Sequence, residues 1–189
     1  LFWGLVHLPI GSPNFDNREI ESTGQLAVLF TPQVLRWESQ IIAWATAHDL
    51  DPNLVATVMQ IESCGDDQAV SRAGAIGLFQ VMPYHFVDSE DSYQPDINAN
   101  RGLIYLKKSL ENFGNDPSLA LAGYNGGIAG ASRSQYEWAQ ETIEYQYWGE
   151  NIYADATAGR STSPVLEEWL AAGGASLCAQ AEQRLARSP

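Results

Sequence analysis

The apolar residues of this chain recur at helical spacing along most of its length. Residues 31 to about 48 predict a first helix, because Val34, Trp37, Ile41 and Ala45 return every three or four positions behind Thr31-Pro32. Further helices are predicted over residues 52–62, 98–113, 117–124, 137 to about 156, 164–172 and 178–187. The pattern is that of a mainly α protein.

Turn-forming residues separate these helices. Residues 1 to about 30 are rich in Pro, Gly and Asn and predict an irregular N-terminal arm. Residues 64–82 predict a glycine-rich loop, which can include a short antiparallel excursion. Residues 88–91 predict an acidic loop, and residues 158–163 a linker.

The second predicted helix places a carboxyl group on an apolar face. Asp51-Pro52 is a favourable helix start, and Val55, Val58, Met59 and Glu62 follow at i, i+3, i+4 and i+7. Burial on an apolar face raises the pKa of a carboxyl group, and the partial negative charge of a helix C-terminus acts in the same direction. Glu62 is therefore a candidate general acid. The alternative is a solvated glutamate at a fraying helix end.

Composition limits the classes of function. A chain of 189 residues with 45% apolar residues fits one globular domain. Its net charge of −13 argues against binding to nucleic acids, anionic membranes or teichoic polymers, whereas a neutral glycan is compatible.

The chain offers little for metal or membrane binding. Two cysteines, together with His7, His48 and His85, have no ligand-like spacing, so neither a metal nor another cofactor is expected. The apolar segment 1–8 is too short to span a bilayer. It is either the tail of a removed signal or anchor segment, or a strand or coil that packs on the domain.

Three ordered blocks resemble the soluble lytic transglycosylase family. The first is Glu62-Ser63, followed by Ser71 and by the run from Gly74-Ala75 to Met82-Pro83. The others are Asn98, Gly102 and Tyr105-Leu106, and then Ala120 to Gly127, which contains Tyr124-Asn125. Residues 141–147 are a weaker match to the Glu-Thr…Tyr helix of the family. Gly65 and Asp67, Gln94-Pro95, and Gly123 and Gly126 depart from the usual pattern without removing a residue of chemical role.

The resemblance implies a lysozyme-like single domain that cleaves peptidoglycan. It divides the chain into an N-terminal arm (1–30), a catalytic domain (31–156) and a C-terminal helical extension packed on that domain (157–189). Glu62 would protonate the glycosidic oxygen between N-acetylmuramic acid and N-acetylglucosamine and would then act as a base, leaving a 1,6-anhydro sugar. The expected setting is extracytoplasmic, with peptidoglycan as partner. The chain is expected to be a monomer without an integral membrane span, and an anchor segment before residue 1 is left as an alternative.

Two alternatives remain. One is hydrolysis of the same bond, as in goose-type lysozymes, and the other is a non-catalytic module that binds the wall or builds a phage. Most glycosidases use two carboxylates. The loop candidates for a second carboxylate have no supporting pattern; they are Asp66, Asp67, Asp88, Glu90, Asp91 and Asp96.

The resemblance also implies substrate-binding residues, most of which could instead have a purely structural role. Ser71 can bond the catalytic carboxyl or an N-acetyl group, or it can serve the loop backbone. Gln80 can contact amides or hydroxyls. Met82 lines a sugar subsite or fills the core. Asn125 binds substrate or caps a helix.

Tyr124 is expected to point into the cleft, with the small residues around it packed against the Glu62 helix; the alternative is a buried structural tyrosine. The aromatic residues between Trp138 and Tyr153 either stack on sugars or belong to the core.

Cys64 and Cys178 are expected to form one disulfide. An enzyme of the cell wall works outside the cytoplasm, where pairing is favoured over free thiols. The alternative is a pair of buried thiols.

Overall fold

The computed structural model describes residues 25–186, so the N-terminal arm predicted for residues 1–30, with His7, lies almost entirely outside the described residues. The described part is built from helices, which confirms the mainly α prediction. The α-helices are α1 (Pro32–Leu35), α2 (Glu38–Ala47), α3 (Pro52–Glu62), α4 (Pro95–Asn112), α5 (Pro117–Gly126), α6 (Ile128–Ala131), α7 (Gln140–Thr157), α8 (Pro164–Trp169) and α9 (Ala175–Leu185). Single 3₁₀ turns form at Pro83–His85 and Gln135–Glu137, and a π-helical turn at Leu170–Gly174 joins α8 to α9.

Helix α3 is the central element and has the predicted bounds. The Asp51 side chain accepts a hydrogen bond from the Asn53 amide at 2.7 Å and so caps the helix. Every residue from Pro52 to Gln60 is buried, with α2 and α7 packed around the helix. Because its axis lies in the core, α3 fixes where Glu62 emerges.

The single helix predicted over residues 31–48 is wrong. Arg36 and Trp37 separate α1 from α2, and Trp37 has left the helical conformation. The Trp37 indole donates to the Gly65 carbonyl at 3.0 Å and stacks on Trp44. The apolar pattern continues through the break because both segments cover the same core.

Two later predictions also need correction. Helix α7 begins at Gln140 rather than at residue 137, because Trp138 is extended and its indole donates to the Arg133 carbonyl at 3.2 Å. The two terminal helices predicted at 164–172 and 178–187 are present as α8 and α9, separated by a kink where Gly173 adopts a φ of 137°, but the second begins at Ala175 rather than at residue 178.

The loop after α3 contains the antiparallel excursion, with bridges from Ile76 to Val70 and Val81. Asn98 at the start of α4 holds it: its side chain accepts from the Phe79 amide at 2.9 Å and donates to the Ile76 carbonyl at 2.8 Å. A Cβ at Gly77 would lie 2.5 Å from the Asn98 Nδ2, so this position requires glycine. The loop is thereby fixed against α4.

Helix α5 does not pack mainly on α3, contrary to the expectation for its small residues. Its main neighbours are α4 and α7. Gly123 lies against Ser109 and Phe113 of α4, and Leu121 fills the space left by Gly149 of α7. The small residues thus let α5 approach α4, and α7 is the helix that covers α3.

The C-terminal helices are tied to the loop after Glu62. The disulfide between Cys64 and Cys178 confirms the predicted pairing, with the two Cα atoms 5.0 Å apart. Arg184 forms an ion pair with buried Asp66 at 3.2 Å and donates to the Gln68 carbonyl. None of the helices within residues 25–186 is long and apolar enough to span a membrane.

Replacing both cysteines by alanine should destabilise the protein. The bridge closes a sequence separation of 114 residues. The chain-entropy model then gives about 4–5 kcal/mol as an upper figure. Urea unfolding of the double variant and the parent, both without reductant, measures the difference. Thiol titration of the denatured, unreduced parent should find no reactive thiol; two per chain would contradict the bridge.

Candidate active site

A cleft opens where α3 ends. Its walls come from the loop of residues 71–82, the middle of α4, the end of α5 and the start of α7, and its cavity measures about 310 Å³. The residues predicted from the sequence as catalytic or substrate-binding all line it, namely Glu62, Ser71, Gln80, Met82, Tyr124 and Asn125. The fold therefore brings these six residues together from three segments, the end of α3, the loop after it and the end of α5.

Glu62 is the last residue of α3 and reaches the cleft from the core side. Packed protein surrounds its carboxyl group, while the side chain keeps contact with solvent through the cleft. Desolvation raises the pKa of Glu62 to about 8, the charge of Glu141 adds to this rise, and the Tyr145 hydroxyl opposes it. Glu62 is therefore protonated at neutral pH and can donate a proton.

Two tyrosines adjoin the carboxyl group, Tyr124, which is half-buried, and Tyr145, which is buried. The Tyr124 hydroxyl donates to the Phe79 carbonyl at 2.8 Å, which anchors α5 to the motif loop. The Tyr145 hydroxyl is buried and makes no hydrogen bond of standard geometry within the described residues, yet it is near enough to Glu62 to favour its charged form. Burial and the nearby Glu62 charge raise the pKa of both phenols, so both remain neutral donors.

A glycine makes this arrangement possible. A Cβ at Gly102 of α4 would lie 2.6 Å from the Phe79 Cβ and 3.0 Å from the Tyr124 hydroxyl. The close approach of α4 to Phe79 and Tyr124 thus explains the glycine of the second motif block.

Ser71 and Gln80 make hydrogen bonds within the loop through their side chains, and both also line the cleft. The Ser71 Oγ accepts from the Ala75 amide at 2.9 Å, which leaves its hydroxyl hydrogen to donate. The Gln80 Nε2 donates to the Gly77 carbonyl at 2.9 Å, which leaves its Oε1 to accept. Gln80 also has a φ of 45°, so the loop turns sharply at this residue.

Asn125 does not cap a helix end, because α5 continues to Gly126 and its C-cap residue is Gly127. Its Oδ1 accepts from the Thr142 hydroxyl at 2.9 Å. This contact ties the end of α5 to the start of α7 and leaves the amide hydrogens of Asn125 to face the cleft.

Sequence reasoning missed several residues that line the cleft. Tyr84, His85 and Tyr105 form an aromatic row that ends at Tyr124, with ring centroids 4.6, 5.4 and 5.9 Å apart in turn. Tyr84 is 75% exposed at the cleft edge, where an apolar ring face can cover a sugar. No periodic pattern marks Tyr84 and His85, since they follow Pro83 in a 3₁₀ turn.

Charged residues of the cleft were also missed. Arg101 lines it and is held by Glu90 in a bidentate pair with distances of 2.9 and 2.7 Å. Glu141 lines it from the start of α7, four residues before Tyr145. The weak Glu-Thr…Tyr match was the one available signal for these two α7 residues.

The acidic loop residues considered as second carboxylates do not line the cavity. Asp66 pairs with Arg184, Glu90 with Arg101, and Asp96 accepts from the Trp44 indole at 2.8 Å. Within residues 25–186, no group of three His, Cys, Asp or Glu side chains is placed to hold a metal ion.

The aromatic residues between Trp138 and Tyr153 divide between the core and the surface. Tyr145 and Ile152 are buried in the core, and Trp148 and Tyr153 pack half-buried against it. Tyr147 is exposed and donates to Glu168 at 3.1 Å. Trp138 lies outside the helix and lines a second cavity beside the cleft.

Comparison with known proteins identifies the family of this chain. Residues 39–146 match the family described as the Transglycosylase SLT domain. Over 113 residues the chain is 35% identical to the transglycosylase of Enterobacteria phage PRD1, which covers 59% of this chain and 40% of that relative. The chain thus spans less than half the length of this curated relative.

A solved structure shares the fold. It is the X-ray structure of an inactive mutant of the lytic transglycosylase Slt from Pseudomonas aeruginosa, with a TM-score of 0.55 and 21% sequence identity. The similarity covers 71% of this chain and 26% of that one. Together these comparisons confirm the family resemblance and the lysozyme-like fold that the three motif blocks predicted.

Glu62→Gln should make the stability of the protein less dependent on pH. The pKa of Glu62 is raised from 4.5 to about 8 in the folded state, so the folded protein holds a proton that the unfolded chain releases. The contribution of Glu62 is thus full below pH 4.5 and is lost as pH rises to about 8.

The amide does not titrate, so the variant should melt near the parent at pH 4 and a few degrees above it at pH 8.5. Thermal unfolding by circular dichroism at both values measures this, with Glu38→Gln, at an exposed position of α2, as the control. Equal melting differences between variant and parent at the two pH values would contradict the raised pKa.

Proposed function

The chain belongs to the Transglycosylase SLT domain family, and from this we propose that it is a peptidoglycan lytic transglycosylase. The proposed reaction breaks the β-1,4 bond from N-acetylmuramic acid to N-acetylglucosamine and forms a 1,6-anhydro end. The observation that carries the proposal is the Glu62 carboxyl group at the end of a buried helix, facing an open cleft, with its pKa raised to about 8 by desolvation.

In the first step Glu62 donates its proton to the glycosidic oxygen. The bond from that oxygen to C1 of the muramic residue breaks, and the N-acetylglucosamine leaves with a new hydroxyl. The substrate's own 2-acetamido group stabilises the positive charge that develops at C1. Glu62 is now a carboxylate in surroundings that disfavour its charge, so it is a strong base.

In the second step the C6 hydroxyl of the muramic residue attacks C1. Glu62 takes the hydroxyl proton, and the new C1–O6 bond closes the anhydro ring. The carboxyl group returns to its starting state, and neither water nor a cofactor is consumed. The neutral phenol of Tyr145 stabilises the carboxylate while it exists between the steps, whereas the Tyr124 hydroxyl donates to Phe79.

The other cleft residues are proposed to hold the glycan. The free hydroxyl hydrogen of Ser71 and the amide hydrogens of Asn125 suit acceptor oxygens of N-acetyl groups, and the Oε1 of Gln80 suits a sugar hydroxyl or amide. Met82 and Tyr84 supply apolar surface for sugar faces. Residues 31–156 form the proposed catalytic domain, and residues 157–189 the extension that the disulfide secures.

The disulfide and the family favour an extracytoplasmic setting, since such bonds persist in oxidising compartments. We propose that the catalytic domain acts as a monomer on glycan strands. All proposed substrate contacts come from one chain, so the site needs no second copy.

Glu141 favours one alternative, hydrolysis of the same bond. It is the second carboxylate that lines the cleft, and an inverting or retaining hydrolase needs such a group. As a base for water, Glu141 would give a reducing end. In the transglycosylase its charge instead keeps Glu62 protonated.

The mass of the products from purified sacculi tests the proposal. Anhydro ends are lighter than hydrolysed ends by one water, and we expect anhydro ends from the parent. Glu62→Gln should lower turnover by at least about 10³-fold, because one carboxyl group serves both steps. The Glu38→Gln control should cleave normally. Reducing ends from the parent, or turnover of Glu62→Gln within tenfold of the parent, would contradict the proposed mechanism.

Tyr124→Phe should lower turnover more than stability. The variant loses the hydrogen bond to Phe79 and leaves that carbonyl unpaired, which costs about 1–3 kcal/mol. It also loses the contact that holds the end of α5 to the motif loop in the cleft wall, so kcat should fall about tenfold or more. Urea unfolding and turnover on sacculi measure the two effects. Tyr136→Phe, at a fully exposed hydroxyl, is the control. A variant with lowered stability and normal turnover would assign Tyr124 a structural role alone.

A further inference from the structure

A second cavity, here called the side cavity, adjoins the cleft. It measures about 310 Å³ and lies between the end of α5, α6 and the segment that leads into α7. Asn125 and Glu141 line both spaces. A substrate in the cleft can therefore extend a substituent into the side cavity without leaving the protein surface.

The side cavity has charges of both signs. Arg133 is its one basic lining residue, and Glu137 and Glu141 are its acidic ones. Four other cations of the described chain, Arg101, Lys107, Arg160 and Arg184, are held in ion pairs. Arg133 has no ion-pair partner among the residues that the structure describes, so its guanidinium can bind an anion.

The aromatic wall of the side cavity is fixed in place. The Trp138 indole donates to the Arg133 carbonyl at 3.2 Å, and its ring is half-buried. On the opposite side, the contact from Thr142 to Asn125 holds α5 to α7. Because both walls are braced by hydrogen bonds, the space exists before a ligand arrives.

The chemistry of the lining separates two substituents of the substrate. Where a stem is attached, the lactyl group of each muramic residue is an amide, so the sugars are neutral and offer only hydroxyls and amides. The peptide stem, which is attached through the lactyl group of muramic acid, offers carboxylates, amides, aliphatic side chains and an ammonium group where it contains a diamino acid. A free guanidinium, flanking carboxylates and an indole match the peptide rather than a further sugar.

We propose that the side cavity binds the peptide stem of the muramic residue held in the cleft. Arg133 takes a stem carboxylate, Glu137 takes an ammonium group, and Trp138 covers the aliphatic part. This inference rests on the proposed function, since it assumes a peptidoglycan strand in the cleft.

Turnover on two substrates tests the inference. One is peptide-bearing glycan strands, and the other is the same strands freed of stems by an amidase, with the exposed lactyl carboxylates capped as amides. Arg133→Gln should lower kcat/KM on the peptide-bearing strands about three- to tenfold, the range for a partly exposed charged contact. It should leave kcat/KM on the stripped strands unchanged. Arg36→Gln, which makes the same charge change at an exposed residue outside both cavities, should affect neither.

Binding provides a readout without turnover. In the Glu62→Gln background, a disaccharide that carries a tetrapeptide should bind more tightly than the same disaccharide with its lactyl group capped as a simple amide. Arg133→Gln should reduce that difference in affinity by about three- to tenfold. Trp138→Ala should weaken binding of the peptide-bearing ligand alone.

The outcomes separate the two proposals. If the parent forms no anhydro ends on either substrate, the proposed function fails. If the parent cleaves both but Arg133→Gln behaves like the parent, or weakens stripped and peptide-bearing strands equally, the side cavity is not a peptide site. A loss confined to long stripped strands would assign it to a further sugar and overturn the inference.

Discussion

Helix α3 is buried along its length, and its final residue is the one that reaches the cleft. This arrangement places a carboxyl group at the boundary between a packed core and solvent. Desolvation from the core side raises the pKa of Glu62, while the cleft side leaves room for a substrate. The surrounding helices act on this one boundary: α7 covers α3 and brings Tyr145 and Glu141, and α5 brings Tyr124.

A desolvated carboxyl group opposes folding above its ordinary pKa, so the structure around it must be held firmly. The residues just after Glu62 are secured from the C-terminal side by the disulfide. The buried Gln60 amide contacts the Cys64 sulfur at 3.2 Å, and Arg184 pairs with Asp66. These contacts connect α9 to the end of α3 and hold the loop after Glu62 in place beside the cleft.

The distribution of charge follows from the same constraint. In a chain with a net charge of −13, a cation free to pair with Glu62 would lower its pKa and remove the acid. Arg101 lines the cleft, but Glu90 holds it in a bidentate pair. The nearest charge that acts on Glu62 is instead Glu141, which has the same sign. Arg133 stands in the side cavity rather than in the cleft.

The sequence by itself determined the features that depend on near neighbours along the chain. Asp51-Pro52 and the spacing from Val55 to Glu62 predicted α3 and its bounds, because caps and helical periodicity are local. The motif blocks predicted the six cleft residues, and cysteine pairing was expected from the setting that the family implies.

The tertiary structure alone decided contacts between distant segments. The break at Trp37, the neighbours of α5, the place of Glu141 and the cavity beside Arg133 are all of this kind. Apolar periodicity states which face of a helix is buried, but not which helix covers it, and a charged residue in a turn has no period at all. Long-range packing therefore determined the pKa of Glu62, although Glu62 itself was predicted from the sequence as the candidate acid.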